Sequence, residues 1–182
     1  SLTGHLVLST LHTNSAPETV TRLLDMGMDP FNFADSLLAV LAQRLVRRLC
    51  PHCRSARAAS DDEAAELVGD WMHAYGDSPH APDPHAVLAD WQQQFGQNGR
   101  LTRYRSGGCD QCDRTGFKGR LGLHELMLVN RDLRHLIQTN ARSEELQRCA
   151  LEEGMRTLRQ DGIEKVLAGE TSIEEVRATS NV

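Results

Sequence analysis

Residues 47–54, RRLCPHCR, read together with residues 108–120, GCDQCDRTGFKGR, decide how this chain is interpreted. A single C-x-x-C is either a redox-active dithiol or half of a metal site. Two of them, Cys50 with Cys53 and Cys109 with Cys112, offer the four soft ligands of a tetrahedral zinc ion. Each tight turn would aim its backbone amides at its own sulfurs. A redox dithiol opens a helix, whose N-terminus lowers the pKa of the first thiol. The CPHC stretch is instead expected at the basic C-terminal end of a helix, and a redox dithiol gives no reason for a second pair. Gly107 and Gly108 precede the second pair, and Gly116 and Gly119 follow it, where tight turns are needed. Structural zinc held by Cys50, Cys53, Cys109 and Cys112 is the expectation. The loop of about 55 residues between the pairs is longer than the usual zinc-ribbon spacing of about 15 to 20, which leaves an empty or degenerate site as the alternative. His52 is expected to be exposed, because four thiolates complete a tetrahedron, and Cys149 to be a small core residue.

Composition sets the outer bounds. The chain has 182 residues, of which 40% are hydrophobic and 25% charged, enough for one substantial core or two small ones. A net charge of -5 and an isoelectric point near 5.9 argue against a general nucleic-acid binder, whose affinity rests on clustered Lys and Arg. Arg44, Arg47, Arg48, Arg54 and Arg57 form one acid-free basic stretch. Both a solvated helix end and an anion- or subunit-contacting patch fit it. No apolar run approaches the roughly 18 residues of a membrane span and no charged-then-apolar leader opens the chain, so a cytoplasmic protein is expected. The sequence enters a strand-like run, Leu6 to Leu11, almost at once. A domain rarely begins inside its own core, so the chain is read as the C-terminal part of a longer protein.

The element pattern is mixed. After the opening strand, SAPE is a capping box in which Ser15 accepts from the third helical residue and Glu18 reaches back. A helix is predicted from there to about Asp25, with Val20, Leu23 and Leu24 inward and Gly27 ending it. A second helix is predicted from Asp29 and Pro30 through the basic stretch, on the stripe of Ala34, Leu37, Leu38, Leu41 and Leu45. Residues 58–75 and 85–95 are predicted helical around a Pro-rich loop, an inserted helical hairpin. Its His73, His80 and His85 lack the fixed spacing of a second metal site. GRLGLHELMLV reads as a strand, and from Asn130 short helices follow. The last is opened by a box of Thr171 and Glu174.

The stretch TGHLVLSTLHTN places Ser9, Thr10, His12, Thr13 and Asn14 at the carboxyl end of the opening strand, where ligands of open α/β sheets bind. A polar loop after a strand is also the ordinary case, and the pattern alone leaves both readings open. No phosphate loop of the G-x-x-x-x-G-K-[ST] kind occurs, so the chain by itself is expected not to bind a nucleoside triphosphate by that device.

Four ordered segments carry a resemblance: residues 3–27, TGHLVLSTLHTNSAPETVTRLLDMG; residues 42–53, AQRLVRRLCPHC; residues 108–127, GCDQCDRTGFKGRLGLHELM; and residues 161–176, DGIEKVLAGETSIEEV. Together they resemble the C-terminal half of the ATPases of type II secretion and type IV pilus assembly. The resemblance implies a RecA-like core whose phosphate loop, acidic box and Walker B segment lie upstream. It matches His5 and His12 to the two histidines of the family's His box, with His12 near the terminal phosphate, Thr10 beside it, and His5, Gln43 and Arg44 on the nucleotide side. It matches the four paired cysteines to a tetracysteine subdomain. The segment from about Ala58 to Arg103 is longer than the family's usual inter-knuckle segment.

The expected fold is mixed α/β. Residues 1–49 would end a RecA-like core, 50–122 form a zinc subdomain with a helical insertion at about 58–103, and 123–182 form a helical C-terminal subdomain. The implied function is that of a cytoplasmic motor ATPase powering type II secretion or type IV pilus assembly: a hexameric homo-oligomeric ring that uses ATP and Mg2+ in the full-length protein, the chain alone being expected inactive. It would sit at the bacterial inner membrane through platform proteins, with no membrane span and no nucleic acid. The competing class is a free-standing zinc module that recruits a protein partner and carries no ATPase chemistry.

Overall fold

The computed structural model describes residues 4–180, and Ser1–Thr3, Asn181 and Val182 lie outside it. In chain order the elements are α1 (Ala16–Asp25), α2 (Pro30–Ser36), β1 (Ala39–Leu49), β2 (Arg54–Ala58), α3 (Asp61–Met72) and α4 (Pro84–Gln94). β3 (Thr102–Ser106), β4 (Phe117–Leu128), α5 (Arg131–Gln138), α6 (Ser143–Glu152), α7 (Leu158–Leu167) and α8 (Ile173–Thr179) complete it. β1 pairs with β4, and β2 pairs antiparallel with β3. The chain folds as two compact units, each discontinuous in sequence: residues up to Ala42 with His124–Thr157, and Gln43–Leu123 with Leu158 onward.

In the first unit, α2 packs on α5, and α6 packs on both α1 and α5. Its buried side chains include Ala16, Val20, Phe33, Ala34, Met127, Leu133, Ile137, Leu146 and Ala150. α1 forms where its cap dictates. Ser15 is extended, and its Oγ accepts from the Glu18 amide at 3.3 Å. The other half of the expected box shifts by one residue, because the Glu18 carboxylate accepts from Asn14 N at 3.1 Å. Gly27 turns the chain at φ +93, a conformation open to glycine at little cost.

The second unit is built around the segment between the cysteine pairs. The β2–β3 ladder, with Arg54 opposite Ser106 and Ala58 opposite Thr102, closes the base of the α3–α4 hairpin. Trp71 and Trp91 meet edge to face with centroids 5.3 Å apart, the favoured aromatic geometry. They share one apolar cluster with Leu67, Val68, Ile163, Leu167 and Val176. The predicted insertion is therefore half of this unit's core.

Three sequence expectations are corrected here. Leu6–Leu11 forms no strand, and Leu6, Val7 and Leu8 are exposed. The second helix stops at Ser36, where Leu37 turns extended, and the rest of the predicted helix is strand β1. Leu38, Leu41 and Leu45 of the supposed core stripe are exposed, whereas Ala42, Val46 and Leu49 are buried. A short apolar run has no decisive period, and pairing with β4 selects the strand. The last helix is capped one residue later than expected. Ser172 Oγ accepts from the Glu175 amide, and Thr171 Oγ1 donates to Arg47 O at 2.7 Å instead.

Candidate metal centre

The two C-x-x-C turns fall at strand ends. Cys50 directly follows β1 and Cys53 directly precedes β2, so the first pair follows a strand and not the helix end expected for it. Cys109 precedes and Cys112 ends a short 3-10 turn ahead of β4. Backbone bonds join the two turns: Cys50 N donates to Gly116 O at 2.9 Å, and Ser106 Oγ donates to Cys50 O at 3.4 Å. Gly108 and Gly116 are obligatory for this approach. Both have positive φ, and a Cβ on Gly108 would stand 2.5 Å from Arg114 O, one on Gly116 2.9 Å from Ser106 O.

The four sulfurs converge, all within 4.8 Å of one another. Cys50 lies 3.9 Å from Cys109, Cys53 3.9 Å from Cys112, and Cys109 3.8 Å from Cys112. A disulfide needs about 2.0 Å, and all five cysteines are free thiols. A tetrahedral ion with metal–sulfur bonds of about 2.3 Å has sulfur–sulfur edges of about 3.8 Å. The donor set therefore fits a four-coordinate thiolate metal, and the four cysteines are positioned to bind a metal ion.

The surrounding amides favour thiolate. Cys109 N and Gly116 N donate to Cys112 Sγ at 3.2 and 3.3 Å. Burial pushes the Cys112 thiol up, but these amides and the neighbouring thiols together hold it down at about 6. Burial pushes Cys109 up to about 11 and also raises Cys53. Cys112 thus gives up its proton readily while Cys109 and Cys53 hold theirs, so a cation bound here displaces protons from those two. His52 is exposed, as expected, and is not in the cluster. Cys149 is half-buried, less enclosed than a core residue.

The basic stretch proves largely paired. Arg47 bonds Glu175 and lies over the Phe117 ring at 4.2 Å. Arg57 makes two bonds to Glu63, and Arg54 donates to Gly169 O and lies over Tyr104. Its acid partners are Glu63 of α3, six residues from Arg57, and the distant Glu170 and Glu175.

The residues expected at a nucleotide fall in two stretches, one before α1 and one on β1. His5, Thr10 and His12 are exposed on the run before α1. His12 O accepts from Arg22 Nη1 at 2.9 Å, and Thr13 Oγ1 and Thr19 Oγ1 are 2.6 Å apart. Gln43 is exposed on β1, its carbonyl accepting from Arg44 Nη1 at 3.1 Å. Sequence reasoning passed over Glu125. It is 3% exposed, on the inward positions of β4 between Leu123 and Met127. A lone acid on the apolar phase of an alternating strand was the available signal.

Comparison with known proteins bears on the whole chain. The family model described as Type II/IV secretion system protein matches residues 1–178, a range that includes the segment at 58–103. The type IV pilus assembly ATPase PilB of Thermus thermophilus is 40% identical over 178 residues, 98% of this chain and 17% of that protein. The type II secretion system protein E of Aeromonas hydrophila is 42% identical over 176 residues, 97% of this chain and 30% of that protein. That of Klebsiella pneumoniae is 44% identical over 176 residues, again 30% of its length. The chain thus spans 17% to 30% of the length of these curated relatives, and it belongs to the type II/IV secretion system protein family.

Proposed function

We propose that this chain is the C-terminal part of a motor ATPase that hydrolyses ATP to drive type II secretion or type IV pilus assembly. The observation that carries the reading is the 40% to 44% identity to proteins named for those systems, over 97% or more of the chain. In this reading residues 1–49 end a RecA-like core, 50–122 form the zinc subdomain, and 123–182 form the helical C-terminal subdomain. The full-length motor would be a hexameric ring on the cytoplasmic face of the bacterial inner membrane, attached through platform proteins. Among the described residues no helix is long and apolar enough to cross a membrane.

Structural zinc is the ion this reading assigns to Cys50, Cys53, Cys109 and Cys112, supported by sulfur–sulfur edges of 3.8 to 3.9 Å. Four thiolates leave no open position for a substrate, so the metal would stabilise the fold and take no part in hydrolysis. ATP and Mg2+ would be held mainly by a phosphate loop outside this chain. Exposure of Leu6, Val7 and Leu8 supports a role for this run in a sheet completed by the rest of the motor.

In the assembled motor His12, with Thr10 beside it, would face the terminal phosphate, and His5, Gln43 and Arg44 would contact the nucleotide. A donor at that phosphate acts most strongly as charge shifts in the transition state. Steady-state ATPase rates and nucleotide affinity of the full-length His12→Ala protein test this. The expected result is a loss of about 10²–10³ in turnover with binding kept. Wild-type turnover would remove His12 from the catalytic set. Failure of the full-length protein to hydrolyse ATP at all would favour the zinc module.

A further inference from the structure

The first three residues of α1, Ala16, Pro17 and Glu18, have no intrahelical partner for their backbone nitrogens, and each is accounted for. Pro17 has no N–H. Glu18 N donates to Ser15 Oγ at 3.3 Å. Ala16 N donates to Glu125 Oε1 at 2.6 Å, across 109 residues of sequence. A carboxylate suits this place, because the N-terminal end of a helix carries partial positive charge.

The same helix holds the segment before it. Arg22 of α1 grips His12 O at 2.9 Å, the Glu18 carboxylate takes Asn14 N at 3.1 Å, and Thr19 meets Thr13 at 2.6 Å. The 12–14 segment is therefore set by α1, and the start of α1 is tied to β4 by a side chain that is itself buried. We propose that Glu125 is a positioning residue, fixing through α1 the place of the segment that carries His12. The proposal rests on the reading of His12 given above. It explains why an acid occupies the inward phase of β4 between Leu123 and Met127, both fully buried.

The test uses the full-length motor and two readouts. In hydrogen exchange, the peptide spanning residues 12–20 should exchange faster in Glu125→Ala than in wild type. Glu125→Gln, which keeps an acceptor oxygen, should restore most of the protection. In steady-state kinetics, Glu125→Ala should lower kcat by about tenfold to a hundredfold, the cost of a displaced catalytic group, with nucleotide affinity within about threefold of wild type. Added to His12→Ala it should cost less than about twofold more, because residues acting through one another are not additive. Should Glu125→Ala fail to assemble, Glu125→Asp, whose carboxylate is withdrawn by about 1.5 Å, carries the same cycle. Unchanged exchange at residues 12–20 would overturn the anchoring. Full additivity with His12→Ala would make Glu125 merely structural and overturn the proposal too. Wild-type turnover of His12→Ala alone would instead overturn the reading of His12, and the exchange result would still decide whether Glu125 holds α1.

Discussion

Cys112 is the most heavily supported sulfur of the cluster, with backbone amides from Cys109 and Gly116 directed at it. Cys112→Ser should reduce bound metal from one ion per chain to near zero, whereas His52→Ala should leave it at one, by elemental analysis of protein purified without chelator. A metal-free wild type under reducing conditions would remove zinc from the reading. Glu63 makes a pH-dependent contribution of known sign. The bidentate Arg57, followed by the Ser60 amide, holds its carboxyl down to about 2 from 4.5. A depressed carboxyl stabilises the fold fully above its unfolded pKa, and that stability is lost as pH falls from about 4.5 toward about 2. Denaturant titrations at several acidic pH values should therefore give Glu63→Gln a shallower loss of stability than wild type across that window. Equal slopes would mean that the pair contributes nothing to folding.

α7 ends in a turn that only glycine fits. Gly169 N donates to Val166 O, and Glu170 N donates to Lys165 O at 2.8 Å. Gly169 itself stands at φ +74, where an added Cβ would lie 2.7 Å from the Tyr104 ring. Backbone strain and overlap act together, so Gly169→Ala should destabilise the protein by about 1–3 kcal/mol, measured by chemical denaturation. An effect under about 0.5 kcal/mol, the range of ordinary surface changes, would mean that the turn relaxes freely. Helix starts were readable because their caps are local: Ser15, Asp29 and Asn130 each accept from an amide three residues ahead. β2 was not readable, since all five of its residues are exposed and no alternation marks RSARA. Its ladder with β3 depends on a partner strand about 50 residues away.

The largest-scale expectations concern metal and nucleotide. Chelation should raise amide exchange around Cys50–Cys53 and Cys109–Gly116, because an ion held by all four cysteines would join two turns separated by a whole helical hairpin. Unchanged exchange after confirmed metal loss would mean that the backbone bonds suffice. The 182-residue chain should also hydrolyse no ATP, since no phosphate-loop pattern lies within it. A protein-dependent turnover that survives further purification would contradict the assignment of the phosphate cradle to other parts of the motor.

Sequence by itself determined the four cysteines of the candidate metal centre, because ligand chemistry depends on residue type and on the short C-x-x-C spacing within each turn. It also determined most helix starts and the helical character of the segment between the cysteine pairs, all set by contacts within a few residues. Only the tertiary structure decided that Ala39–Leu49 is a strand, since Leu38, Leu41 and Leu45 fit a helical stripe as well as they fit an exposed strand face. It alone decided that Arg47 and Arg48 of the basic stretch pair with Glu175 and Glu170. It alone brought Glu125 to the first turn of α1. Each of these depends on a partner outside the local window, and a buried charge or a short apolar run acquires its meaning from what the fold places against it.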